Sequence, residues 1–321
     1  MRSKLVHLLS VGVLLAAALG ASAQEYPSQQ ITMIVPFAAG SGTDAVARIV
    51  GQKLSERLKQ PVVVDNKPGA SAQIGAQAAA KARPDGYTLF MTTNTSHSAN
   101  PSLFQKLPYD PIKDFTPIAR VGELPFALVV STALPVRSMR ELIAHAKANP
   151  GKLSYATPNS TSLVATETIK RIAGLDIVGV PYKASPQAMT DVVAGQVQVY
   201  VADFGSGLGM MKSDKVRTLG VTTAKPSPLL PGVPPIGEAV PGFDLTSWNG
   251  IFGPAGLPAP VVDRLNRELQ VVLADAEVKD KLAVLGFQVW PSATPAEFAR
   301  YVDDQLKLWT TLIRQAGIKP E

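Results

Sequence analysis

"ITMIVPFAAGSGTDAVARIVGQKL" (Ile31–Leu54) decides how this chain folds. Ile31–Val35 is a short apolar run, the pattern of a buried strand. Gly40, Ser41 and Gly42 follow in a turn. From Thr43 to Lys59 the residues Val46, Ile49, Val50, Leu54 and Leu58 recur at helical spacing on one face. The chain then repeats the theme: a strand at Pro61–Asp65, an alanine-rich helix at Gln73–Ala82 and a strand at Tyr87–Thr93. This βαβαβ order predicts a parallel sheet with helices on both faces.

Asn100–Pro125 is broken by prolines and reads as irregular. A second series starts with the strand Phe126–Ser131. It continues through helices at 139–148, 162–173 and 186–194, and strands at 153–157, 177–182, 197–202 and 216–223. Lys225–Phe243 is proline-rich and reads as an ordered surface loop. Amphipathic helices at Pro260–Ala274 and Thr294–Gln315 complete the chain. The layout predicts lobe one from 24–125 and 241–321 and lobe two from 126–240. Two crossings, near Leu124–Phe126 and Thr246–Trp248, would form a hinge with a ligand cleft between the lobes.

Residues 1–23 carry basic Arg2 and Lys4, an apolar core and a closing Ala21-Ser22-Ala23. This is the pattern of a secretory signal cleaved after Ala23, and an uncleaved membrane anchor is its competing reading. The chain has no cysteine, hence no disulfide framework and no thiolate metal site. Export without disulfides fits a Gram-negative periplasm, and a secreted enzyme would look the same. The formal charge is +6, and removal of Arg2 and Lys4 with the leader leaves +4. With no dense basic run and no basic-aromatic stripe, nucleic-acid binding has no support. The composition, 46% hydrophobic and 17% charged, suits a globular protein with a substantial core.

Enzyme chemistry is thinly represented. Outside the leader there are two histidines, His97 and His145, and no Gly-x-Ser-x-Gly elbow. His97 lies between Ser96 and Ser98 after a strand end, but adjacent residues seldom make a working catalytic pair. There is no His-Glu-x-x-His and no calcium loop, so no metal or other cofactor is expected. An NAD-dependent oxidoreductase is the stronger alternative, because Gly40-x-Gly42-x-x-Ala45, followed by Asp65, imitates the dinucleotide fingerprint. Three features oppose it: Pro36–Ala39 separate the strand from the first glycine, Asp44 lies where pyrophosphate would sit, and an exported protein meets little NAD.

The same turn physics suits a carboxylate. A strand end leading into a helix start aims unpaired N–H groups at one point. The arrangement recurs at Thr92, Thr93, Thr95 and Ser96, at Thr157, Ser160, Thr161 and Ser162, and at Tyr182, Ala184 and Ser185. Each alone reads as ordinary helix capping. Together, across two lobes, they predict a cleft lined with hydroxyl and N–H donors.

At these residues the sequence resembles the Bug family, the substrate-binding proteins of tripartite tricarboxylate transporters. The resemblance rests on "YPSQQITMIVPFAAGSGTDAVAR", "PVVVDNKPGAS", "PDGYTL", "NPSLFQKLPYDPIKDFTPIA", "VPYK", "GQVQV" and "TSWNGIFGPAGLP", which run in order along the chain. It implies a monomeric, two-lobed periplasmic binding protein of type II-like fold. Each lobe would be a mainly parallel sheet flanked by helices. The protein would close on a small carboxylate and deliver it to a membrane permease, or signal to a sensor partner. By the resemblance the ligand groups are Phe37, Ala38, Ala39, Gly40, Ser41, Gly42, Thr43 and Asp44 in the first loop. The second loop supplies Thr93, Asn94, Thr95 and Ser96. Lobe two supplies Thr157, Ser160 and Thr161, then Lys183, Ala184 and Ser185, and finally Asp203. Asp203 is either a structural acid or a partner for a ligand donor such as an ammonium. The chain departs from the family pattern at "PFAAGSG", at "PNSTS", which is shorter and less glycine-rich, and at "ASPQ" after the Pro-Tyr-Lys. These departures alter the pocket around the distal end of the ligand.

Overall fold

The computed structural model describes residues 26–321, so the leader at 1–23 lies outside the described residues. In chain order the elements begin with β1 (Ile31–Val35), α1 (Gly42–Leu58), β2 (Val62–Asn66), α2 (Gln73–Ala80) and β3 (Thr88–Thr93). A π-helical turn at Thr95–Ala99 runs into α3 (Asn100–Leu103), followed by β4 (Phe115–Leu124) and β5 (Phe126–Ser131). Next come α4 (Met139–Ala148), β6 (Ser154–Thr157), α5 (Ser160–Ala173), β7 (Val178–Pro181) and α6 (Ser185–Val193). The chain ends with β8 (Val199–Asp203), α7 (Phe204–Met211), β9 (Val216–Val221), β10 (Ser247–Pro254), α8 (Ala259–Ala274), α9 (Ala276–Val284), β11 (Gln288–Val289) and α10 (Pro295–Ala316).

These strands form two sheets. One has the order β11-β4-β10-β3-β1-β2 and the other β7-β6-β8-β5-β9. Both are mixed, where the sequence reading expects mainly parallel sheets. In the first, β1 pairs in parallel with β2 and β3, while β10 and β11 run antiparallel to their neighbours. In the second, β6 is parallel to β7 and β8, and β5 is antiparallel to β8 and β9. Parallel pairing needs a crossover, and the chain supplies helical ones only inside each βαβ series. Strands that arrive from the other sheet pair antiparallel. The chain changes sheet at Pro125, between β4 and β5, and re-enters the first sheet at Ser247, where β10 begins.

Several elements depart from the sequence reading, a long strand and a helix among them. Phe115–Leu124, read as irregular, is a ten-residue strand paired along its length with β10. Its proline, Pro117, lies opposite Phe252 at a register shift, where a missing N–H is tolerated. Ala276–Val284 is a helix capped by Asp275, whose side chain accepts from Val278 N at 3.2 Å.

Helix α10 serves both sheets. Its start carries a capping box, Thr294 with Glu297. Its first half buries Phe298 and Val302 in an aromatic cluster with Phe90, Phe115, Trp248 and Phe252. Phe298 lies 4.9 Å from Phe252 and 6.1 Å from Trp248, ring centre to ring centre. Its second half buries Trp309 and Ile313 among residues of the second sheet and its helices, including Val164 and Ile169 of α5. His97 belongs to the aromatic cluster too. It is fully buried and stacked on Phe252 at 4.1 Å, and burial pushes its pKa down to about 3. The ring is a neutral packing element, bonded through Nδ1 to Ser96 Oγ at 2.9 Å.

A β-carbon on Gly250 would lie 2.2 Å from Phe298 Cζ, so this ring rests directly on the β10 backbone. Phe298→Ala should therefore lower stability by about 3–5 kcal/mol, the cost of an unfilled aromatic site. Urea unfolding followed by tryptophan fluorescence measures it, and a loss under about 1 kcal/mol would contradict this packing.

Candidate functional site

The β1–α1 loop is built around one buried acid. Ser41 caps α1, its Oγ accepting from Asp44 N at 3.3 Å. Asp44 in turn reaches back and accepts from Gly40 N at 3.0 Å. Behind the loop Asp44 also accepts from Arg48 Nε at 3.0 Å and from Asn66 Nδ2 at 2.9 Å, and Arg48 Nη2 lies 2.9 Å from its other oxygen. Burial acts to raise the Asp44 carboxyl, but the bonds from Arg48, Gly40 and Asn66 outweigh it and hold the group below its ordinary value. Asn66 Nδ2 ties the same network to Phe37 O at 3.0 Å. Asp44 is thus a structural acid, and the Gly40 N–H expected to meet a ligand is already bonded to it. The N–H groups left open in the first turn of α1 are those of Gly42 and Thr43, which have no acceptor one turn back.

These two residues face a narrow cleft between the sheets. Of the residues expected from sequence, Phe37, Ser41, Gly42, Thr43, Thr93, Thr95, Thr161, Ser185 and Asp203 line it together. Four helix starts reach it: α1 at Gly42, α5 at Asn159–Thr161, α6 at Ser185 and α7 at Asp203. The N-cap of α6 is Ala184, which offers no side-chain cap and leaves that first turn open. Among the described residues lining the cleft none is Lys or Arg.

Other expected residues lie elsewhere. Ala38, Ala39, Gly40 and Asp44 do not line the cleft; Asp44 is buried behind the loop, Gly40 faces Pro186 of α6 from the rim, and Lys183 is exposed. Ser96 points into the core, bonded to Thr92 Oγ1 at 2.6 Å. Asn94 is buried beneath the cleft, donating to Thr161 Oγ1 at 3.0 Å and accepting from Ser247 Oγ at 2.5 Å. Thr157 and Ser160 line a neighbouring cavity. The sequence reading did not single out Asn159, Leu124, Phe126 or Ser247 as lining residues. Asn159 had a visible signal, an asparagine directly before "STS". It caps α5, with Oδ1 accepting from Ser162 N at 2.9 Å.

The glycines explain themselves at the opposite lobe. A β-carbon on Gly42 would lie 2.5 Å from Asp203 Oδ1 and 2.5 Å from Leu124 Cδ2. One on Gly205 would lie 2.5 Å from Gly42 Cα. The dinucleotide reading places pyrophosphate against Gly42, but the space there belongs to the facing lobe. Asp65, its ribose acid, pairs instead with Lys67 at 2.9 Å. Asp203 is buried, and its carboxylate accepts from Ser206 N at 2.8 Å and Ser206 Oγ at 2.7 Å. Burial outweighs these bonds and raises its pKa above the ordinary carboxylate value.

The family model described as tripartite tricarboxylate transporter family receptor (TctC) matches residues 46–318. A UPF0065 protein of Bordetella bronchiseptica is 38% identical over 316 residues, covering 98% of this chain and 93% of that protein. The structure of R. palustris Rpa4515 with adipate superposes with a TM-score of 0.89 at 34% identity, covering 92% of this chain and 100% of the other. The periplasmic binding protein BugD gives a TM-score of 0.88 at 33% identity, with the same coverage. A two-lobed fold, a cleft of helix starts and likeness along nearly the whole chain agree, and the chain belongs to the TctC family of tripartite tricarboxylate transporter receptors, which includes the Bug proteins.

Proposed function

We propose that this chain is a periplasmic solute-binding receptor, not an enzyme. It captures a small carboxylate between its lobes and delivers it to the membrane subunits of a tripartite tricarboxylate-type permease. The observation that carries this reading is the convergence of four helix starts and seven hydroxyl side chains on one cleft, with no lysine or arginine among its described lining residues. Helix starts favour anions through their open N–H groups and the helix dipole. The adipate held by the Rpa4515 protein supports the ligand class, and the leader supports the location.

The ligand carboxylate docks on the N–H groups of Gly42 and Thr43, with Thr93, Thr95 and Thr161 as hydroxyl partners. Closure brings the starts of α5 and α6 onto it. Binding shifts an existing open–closed equilibrium, and donors in a closed, dry cleft act more strongly than in water. Asp203 opposes the incoming charge, so a carboxylate binds best with Asp203 protonated.

A thermal-shift panel of mono-, di- and tricarboxylates with NAD as a control tests the function. At least one carboxylate should raise the melting temperature and NAD should not; the reverse pattern would sink the proposal. Gly42→Ala should weaken carboxylate binding at least about tenfold, or ~1.4 kcal/mol, because the added methyl holds the lobes apart. Titration calorimetry would contradict this by returning unchanged affinity.

Asp203 also predicts the pH dependence. Its folded-state pKa is raised, and an anionic ligand raises it further, so binding takes up a proton. Affinity should fall as pH rises through that raised pKa. Asp203→Asn, which keeps a good helix cap, should flatten the profile and bind more tightly on its alkaline side. Identical pH profiles for the two proteins would remove Asp203 from the binding step.

A further inference from the structure

The cleft holds little more than a carboxylate head group. A second, larger hollow, open to solvent at Ser71, Gly179, Pro181 and Lys319, lies beside it. Asn159 lines both. Two adjacent hydrogen bonds join the walls here: Ser160 Oγ, on the second hollow, donates to Thr95 Oγ1, on the cleft, at 2.8 Å, and Asn94 Nδ2 donates to Thr161 Oγ1 at 3.0 Å beneath the cleft. Two hydroxyls make a weak door, because each exchanges its partner for water or ligand at little net change.

The second chamber is walled differently from the first. Leu103, Phe104, Leu163 and Ile318 bring apolar surface to it, and Phe104, Leu163 and Ile318 are only partly buried. Tyr155 adds its ring, since its hydroxyl is already bonded to Glu167, which Lys170 also holds at 2.7 Å. Lys319 and Glu321 contribute one charge of each sign. A second carboxylate would therefore find no net positive charge and no cluster of helix starts there.

A strained turn reaches the same chamber. Gly69, Ala70, Ser71 and Ala72 have φ of +123°, +45°, +50° and +72°, so three consecutive residues with side chains hold left-handed conformations. Such backbone persists only where its surroundings enforce it, and it concentrates at ligand sites. Here Asn100 Nδ2 donates to Ser71 O at 2.8 Å, and Ser71 lines the chamber.

We propose that the ligand is an amphipathic monocarboxylate whose apolar body, about the size of a phenyl ring, passes the Thr95–Ser160 contact into this chamber while its carboxylate stays in the hydroxyl cleft. The inference rests on the carboxylate-receptor reading above and narrows it.

Titration calorimetry on the purified receptor with butyrate, succinate and 4-phenylbutyrate tests it. 4-Phenylbutyrate should bind at least tenfold more tightly than butyrate. Leu163→Trp, which fills the chamber, should remove that advantage and leave butyrate unchanged. Leu163→Gln, a smaller change at a half-buried site, should reduce it in the same direction should the tryptophan variant fold poorly. Equal affinity for butyrate and 4-phenylbutyrate, or equal loss of both in the Leu163 variants, overturns the second chamber and leaves the carboxylate reading standing. If none of these acids binds and the wider carboxylate panel also fails, the underlying reading falls and this one with it.

Discussion

Two glycine backbones meeting across the cleft set how closely the lobes approach. Gly42 begins α1 on one side, Gly205 lies in the first turn of α7 on the other, and there is no room for a β-carbon on either. Neither needs a left-handed conformation, so the requirement is space. That contact lets α1 and α7 pack, and Val46 and Val50 share a buried cluster with Leu208 and Met211. Closure thus buries apolar surface as well as the ligand. A receptor with some intrinsic preference for the closed state needs less differential affinity from its ligand to complete the shift.

The cleft proposed to take a carboxylate has no lysine or arginine among its described lining residues. Arg48, a strong base on α1, is turned to the back of the loop, where it neutralises Asp44. A lysine or arginine in the cleft would need extensive desolvation on closure. Helix starts are already dehydrated and fixed, so they meet the carboxylate with little reorganisation. Asp203 caps the start of α7 and is the one carboxyl among the described lining residues, beside hydroxyls and the apolar Phe37, Leu124 and Phe126.

Much of this was legible in the sequence because local patterns and tertiary structure agree. Ile31–Leu58 shows its strand and helix through apolar spacing alone, and the hydroxyl runs after β3 and β6 mark chain ends that do meet in one cleft. What escaped depends on distant partners. Phe115–Leu124 looks irregular because Pro117 breaks the pattern, and only the β10 register shows that the proline sits at a bulge. Asp44 reads from sequence as a helix-capping or water-orienting acid, but Arg48 and Asn66, four and 22 residues on, which close around it, are not visible there. Gly42 fits a nucleotide fingerprint until the facing lobe occupies the space beside it. Ser96 and Thr95 are neighbours in sequence, yet the π turn sends one to the core and the other to the cleft.

That π turn is also where rigidity and binding are joined. Single-turn π segments tend to occur at functional sites because the extra residue redirects side chains that an α-turn would stack. Here it puts Thr95 on the cleft while Ser96 and His97 are locked in the aromatic core beneath. Helix α10 packs against this turn and, further along, against α5, whose first residues supply Asn159, Ser160 and Thr161 to the opposite wall. The two walls that must meet around a ligand therefore lean on one helix. Trp309 and Ile313 are buried at that contact and tie α5 to the second half of α10. The hydroxyls at the start of α5 and Thr95 on the π turn are thus held in register through one shared helix.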